Sequence, residues 1–207
     1  MYAVPDLEAG VAWATEVFDR PPAFGGSHTG LGTRNALLSL GNTYLELIAP
    51  DPAQPLAGTF GERVAALSAP GLVTWAVRSD LARAKRGLAA HGIETIGPQR
   101  TERVRADGGS LVWDLLFPTG HGFGLRMPFV IDWLDCALPS STQPVGGRFA
   151  SLALADPNAD ALAAALAALG LRVEVAYGDP KLFVQIETAA GSIDLDSTTE
   201  TAELSMI

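Results

Sequence analysis

Apolar and polar positions alternate along this chain in a pattern that recurs three times. Tyr2-Ala3-Val4-Pro5-Asp6-Leu7, Trp75-Ala76-Val77-Arg78-Ser79-Asp80-Leu81 and Leu152-Ala153-Leu154-Ala155-Asp156-Pro157 each open with a short apolar run. Such a run predicts a buried strand. An Asp follows each run, where its side chain can accept a hydrogen bond from the first turn of a helix. Pro157 suits the first turn of the third helix, because its missing N–H has no partner to lose there. Apolar residues then recur at helical spacing: Leu7, Val11, Ala14, Phe18; Leu81, Ala84, Leu88; Leu162, Leu166, Leu169. Gly92 and Gly170 stop the second and third helices. Strand-like segments come next, Ile93 to Ile96 and Leu171 to Val175.

The remainder of each repeat reads as antiparallel strands: Asn35 to Leu40 with Thr43 to Ala49, Ser110 to Phe117 with Met127 to Trp133, and Lys181 to Thr188 with Ser192 to Asp196. Gly41-Asn42 and Ala189-Ala190-Gly191 are hairpin turns by composition. The expected fold class is α+β, with units at residues 1–70, 71–145 and a shorter 146–207. The last strand of every unit carries an acid between apolar residues: Leu45-Glu46-Leu47, Ile131-Asp132-Trp133 and Ile193-Asp194-Leu195. Alternation puts Glu46 on one face with Tyr44 and Ile48, and Leu45 and Leu47 on the other. Glu46 is therefore expected to be buried or nearly so. A buried carboxylate needs a metal, a cationic partner or a proton.

Composition narrows the setting. The 207 residues are 48% hydrophobic, enough for a sizeable core. With 23 acidic and 14 basic residues the net charge is −9, which argues against nucleic acid as a partner. A lone cysteine, Cys136, permits no internal disulfide and suits a reducing compartment. The start lacks a signal-peptide pattern, and Ala159 to Leu171 falls short of the roughly 20 residues that span a bilayer. A cytoplasmic protein that does not engage membranes is expected. There is no phosphate-cradling loop, and Gly120-His121-Gly122-Phe123-Gly124 is not a dinucleotide fingerprint because no suitable helix follows.

A β-α-β-β-β unit in tandem, with an acid in its last strand, resembles the vicinal-oxygen-chelate superfamily of glyoxalase I, extradiol dioxygenases and bleomycin-resistance proteins. The pattern is similar to a bacterial glyoxalase-like branch through Tyr2 to Leu7, Gly25-Gly26-Ser27-His28-Thr29-Gly30, Gly32-Thr33-Arg34-Asn35-Ala36-Leu37, Tyr44 to Ile48 and Pro128 to Trp133. The resemblance implies that two units form a cupped mixed sheet around a divalent metal (zinc, nickel, manganese or iron), held by two His and two Glu. Glu46 matches the acid of the first unit, and Asp132 is the candidate in the second. The expected nitrogen ligands are absent, since no His precedes Tyr2-Ala3-Val4 within the sequence and Gly71-Leu72-Val73-Thr74 has none.

The candidate site residues follow. Glu46 is the catalytic candidate, and Glu46, Asp132 and His28 are the candidate metal ligands. His28, Arg34, Asn35, Asp132 and Trp133 are the candidate substrate contacts. His28 lies in what reads as a Gly-rich loop, where it is either a ligand contact or a solvated residue. Arg34 and Asn35 open a strand that is expected to face the cup. Arg34 either reads a substrate carboxylate or neutralises Glu46. Trp133 either walls a pocket or packs in the core. His121 belongs to a lid-like or simply turn-forming loop, and His91 meets the C-terminal dipole of its helix. The expected activity is that of a lyase or isomerase, ahead of a dioxygenase, on a small oxygen-rich or carboxylate-bearing molecule. The alternative is a metal-free protein that sequesters a small molecule. A homodimer is open.

Overall fold

The computed structural model describes residues 1–104, 110–202 and 204. In the first unit β1 (Tyr2–Ala3) leads into α1 (Leu7–Phe18), β2 (Ala23–His28), β3 (Thr33–Ser39) and β4 (Tyr44–Pro50). A short α2 (Phe60–Ala65) and β5 (Gly71–Leu72) follow. The second unit is β6 (Ala76–Arg78), α3 (Leu81–Ala89), β7 (Glu94–Val104), β8 (Ser110–Thr119) and β9 (Phe129–Asp132). After α4 (Pro139–Thr142), the third unit is β10 (Arg148–Asp156), α5 (Ala159–Ala168), β11 (Glu174–Tyr177), β12 (Lys181–Thr188) and β13 (Gly191–Asp196), closed by α6 (Thr199–Ala202). The α+β class and the β-α-β-β-β element order hold in all three units. No helix among the described residues is long and apolar enough to cross a membrane.

Helix starts follow the predicted capping chemistry in two cases. Asp6 accepts from the N–H of Ala9 at 2.8 Å, and Asp80 from that of Arg83 at 2.6 Å. Asp156 is different. It accepts from Asn158 N–H at 2.7 Å, just before α5, and turns its other oxygen to Arg126. The segment around His28 is β2 rather than a loop. Gly25 and Gly26 dilute its apolar pattern, while backbone pairing with β3 supplies the order.

Sheet pairing separates the units. The first sheet runs β2-β3-β4-β1-β5 and the second β6-β9-β8-β7. In both, the first strand lies parallel to the last, Tyr2 opposite Leu47 and Ala76 opposite Phe129. The third runs β11-β10-β12-β13, so β10 sits inside its sheet with β11 parallel on one side and β12 antiparallel on the other. The shared element order therefore hides a different pairing order. The α5 crossover returns the chain parallel to β10, as a helix-linked parallel pair requires.

One core serves all three units. Leu7, Ala14 and Phe18 of α1, Leu45 and Leu47 of β4, Leu81 and Leu88 of α3 and Val130 of β9 pack with Leu162 and Leu166 of α5 and with Leu154, Leu182 and Ile186 of the third sheet. The opposite faces of the first two sheets form the cup. Phe60 and Val64 of α2 cover one part of it, packing on Ala3 and Ile48. Gly61 lets α2 approach the β2–β3 turn, since a Cβ there would run into the Gly32 carbonyl, and its N–H bonds to Leu31 O at 2.9 Å.

A buried ion pair ties the third unit to the second. Arg126, in the 3-10 turn Gly124–Arg126 before β9, sets Nε 2.6 Å from Asp156 Oδ2 at the end of β10. Arg126 also donates to Ala202 O at 3.2 Å, and its own carbonyl accepts from Trp75 Nε1 at 2.8 Å. Removing one partner leaves an uncompensated buried charge. Arg126→Met is expected to lower the unfolding free energy by about 3–5 kcal/mol, measured by urea titration, with Arg126→Met/Asp156→Leu recovering part of the loss.

Candidate functional site

Directly paired residues on adjacent strands share a sheet face. The register sets Leu37 opposite Glu46, Asn35 opposite Ile48 and Ser39 opposite Tyr44. On the next strand His28 stands opposite Thr33 and Gly26 opposite Asn35. His28, Thr33, Asn35 and Glu46 thus project from one face, the cup face of the first sheet. Asn35 Nδ2 donates to Glu46 Oε1 at 2.7 Å. His28 Nε2 lies 3.9 Å from the same oxygen, and its Nδ1 is 3.0 Å from Thr33 Oγ1. The side chains of His28 and Glu46 are only 15% and 13% exposed, so solvent screening is weak. The outcome for Glu46 is an amide donor, a partner outside the three expected. The Met1 amine is buried and donates to Thr74 O at 2.7 Å. Burial lowers its pKa, and the nearby Glu46 charge works against that.

Arg34 does not take the place expected of it. It neighbours Asn35, so alternation turns it to the opposite face, where Nη1 and Nη2 grip Glu8 of α1 at 2.8 and 2.6 Å. It neither faces the cup nor neutralises Glu46. Asp132 does not either. Ile131 and Trp133 face the cup, packing with Leu111, Trp113 and Tyr44, so Asp132 faces away with Val130. Its Oδ1 accepts the N–H of Leu134 at 2.9 Å. Asp194 is exposed and accepts from Gln185 Nε2 at 3.1 Å. The three acids of the last strands do not converge. A one-residue difference in register is enough to reverse the face. If Ala3 and Ala76 are matched, Ile48 corresponds to Phe129, and the residue matching Glu46 is Met127.

A cavity of about 690 Å³, within the range of ligand pockets, opens beside Glu46. Its cup side is walled by Tyr44, Ile131, Trp133 and Phe129, and Thr74, Arg78 and Arg172 add polar groups. Trp133 meets both readings made of it. It lines this cavity, is 8% exposed and lies 5.2 Å from Trp113 between ring centroids. Thr74 is 1% exposed and its hydroxyl is without a hydrogen-bond partner. Asn35 Oδ1 is likewise buried and free. Such groups are costly unless a ligand or water meets them. Thr74 has no local signature in the sequence beyond its place where a His is expected.

A second cavity of about 360 Å³ adjoins the first at Thr74 and Phe129 and is lined by Phe117, His121 and Leu125. His121 is built into its loop. Nδ1 accepts from Phe123 N–H at 3.0 Å and the ring stacks on Phe123. Partial burial holds its pKa below the ordinary value, the Pro118 carbonyl raises it, and the Arg126 charge lowers it further. His91 is exposed beyond the end of α3.

A metal needs converging donors. Among the described residues no three His, Cys, Asp or Glu side chains cluster closely enough to share an ion. His28 and Glu46 supply two, and Asp132 is on the wrong face. The donor set does not fit the four-ligand arrangement.

The family profile described as "Glyoxalase-like domain" matches residues 1–170. Among solved structures, a hypothetical protein from Staphylococcus aureus is 19% identical with a TM-score of 0.60, over 84% of this chain and 75% of that one. Methylmalonyl-CoA epimerase from Mycobacterium tuberculosis is 20% identical with a TM-score of 0.46, over 64% of this chain and 84% of that one. No curated protein matches at a significant level. The Staphylococcus likeness is one of fold.

Asn35→Leu removes the donor that holds Glu46. The loss in stability is expected to be about 1–3 kcal/mol by chemical denaturation, and a double-mutant cycle with Glu46→Leu should return a clear coupling energy.

Proposed function

Because the chain belongs to the glyoxalase-like domain family of the vicinal-oxygen-chelate superfamily, we propose that it is an enzyme of the lyase or isomerase type. Its substrate is a small oxygen-rich or carboxylate-bearing molecule bound in the 690 Å³ cavity. Glu46, oriented by Asn35, faces a ligand-sized space beside the uncommitted hydroxyl of Thr74. A positioned carboxylate of this kind suits proton transfer at carbon next to a carbonyl. The C–H bond breaks, its electron pair moves into the carbonyl to form an enolate, and Glu46 carries the proton. Thr74 Oγ is the group available to hydrogen-bond the developing oxygen charge. Glu46 then returns the proton, at the same or a neighbouring atom.

The second reading is a metal-free protein that binds and sequesters a small molecule. The shortfall of metal donors and Met127 in place of a second acid favour it. Turnover separates the two. Against a panel of small ketones and keto acids, wild type is expected to convert at least one compound. Glu46→Gln should lower kcat by about 10²–10⁴-fold while leaving affinity nearly unchanged. Tight binding of such compounds with no conversion by wild type would establish sequestration instead.

A further inference from the structure

Arg78 ends β6 and stands opposite Ile131 in the parallel pairing with β9. It therefore projects from the face that carries Ile131 and Trp133, and it lines the cavity that also holds Glu46 and Tyr44. Arg34, Arg100, Arg126 and Arg148 are committed to Glu8, Asp114, Asp156 and Glu187, whereas Arg172, also on this cavity wall, is without an ion pair among the described residues. Among the described residues Arg78 forms no ion pair, although the chain has 23 acids for 14 basic groups. At a net charge of −9 the protein as a whole repels anions, so an anion held in this cavity needs a local cation. A guanidinium offers a planar fork that matches a carboxylate.

Charge also fixes orientation. A carboxylate placed beside Glu46 would meet like charge. The same molecule turned round puts its carboxylate on Arg78 and a neutral carbonyl toward Glu46 and Thr74, with Tyr44, Ile131 and Trp133 against the body between them. We infer that the cavity selects a small carboxylate with an apolar or aromatic body, and that Arg78 is the specificity-determining residue that binds the carboxylate. This rests on reading the cavity as the substrate site.

The test compares 4-acetylbenzoate with its neutral counterpart 4-acetylbenzamide by isothermal titration calorimetry. Wild type should prefer the acid by about tenfold, the order of one charge-assisted pair at a partly exposed site. Arg78→Met should abolish that preference and leave the amide affinity and Tm unchanged. Glu46→Gln should keep the preference, which separates this inference from the catalytic role of Glu46. Arg172→Met, at the other arginine on the cavity wall, should keep it too. Equal binding of acid and amide by wild type, or a preference that survives Arg78→Met and vanishes in Arg172→Met, overturns the assignment. Binding of neither probe overturns it together with the reading of the cavity.

Discussion

Glu46 sits on a sheet face shared with Tyr44 and Ile48, and a bare carboxylate there would draw in water or take up a proton. The amide of Asn35, 2.7 Å away on the neighbouring strand, answers it directly, with His28 Nε2 3.9 Å from the same oxygen and the buried Met1 amine nearby. That single bond sets the rest of the site. The Asn35–Glu46 bond holds the carboxylate of a residue that lines the cavity, and it leaves Asn35 Oδ1 buried and unmatched. Asn35 is 4% exposed, and the pairing of β3 with β4 fixes its position opposite Ile48. Local stability and local chemistry therefore depend on the same two side chains.

The third unit supports the cup from behind. Its α5 and the inner face of its sheet complete the core on which α1, α3 and the backs of the first two sheets pack. Arg126 and Asp156 fix this arrangement at one point, and the Arg126 carbonyl also holds the Trp75 indole. Trp75 lies on the wall of the large cavity, as do Phe149 and Val184 of the third unit. A unit that does not share the strand pairing of the first two thus still shapes the space in which they act.

Much of this was legible in the residues, and the failures have physical causes. The strand-Asp-helix starts at Asp6 and Asp80 are local, so the sequence carries them fully. The face of Glu46 follows from alternation alone. The same rule forbids Arg34 and Asn35 from both facing the cup, and reading the pair as a unit overlooked it. Asp132 failed on register: it lies an odd number of residues from Met127, the counterpart of Glu46, and so faces the other way, which no local pattern reveals because Ile131 and Trp133 resemble Leu45 and Leu47 in character. The inner position of β10 depends on which strands meet across the sheet, a non-local choice. Thr74 became visible only when its hydroxyl was found buried without a partner.

On the proposed reading, Glu46 moves a proton to and from a carbon acid held in the cavity. Solvent exchange reads that step without requiring the natural product. 4-Acetylbenzoate carries methyl-ketone protons that exchange slowly on their own, and proton NMR in D₂O follows their loss. Wild type should accelerate the exchange, and Glu46→Gln should return it to the uncatalysed rate with the probe still bound. Equal exchange by wild type and Glu46→Gln, or bound probe with no acceleration in wild type, would contradict it.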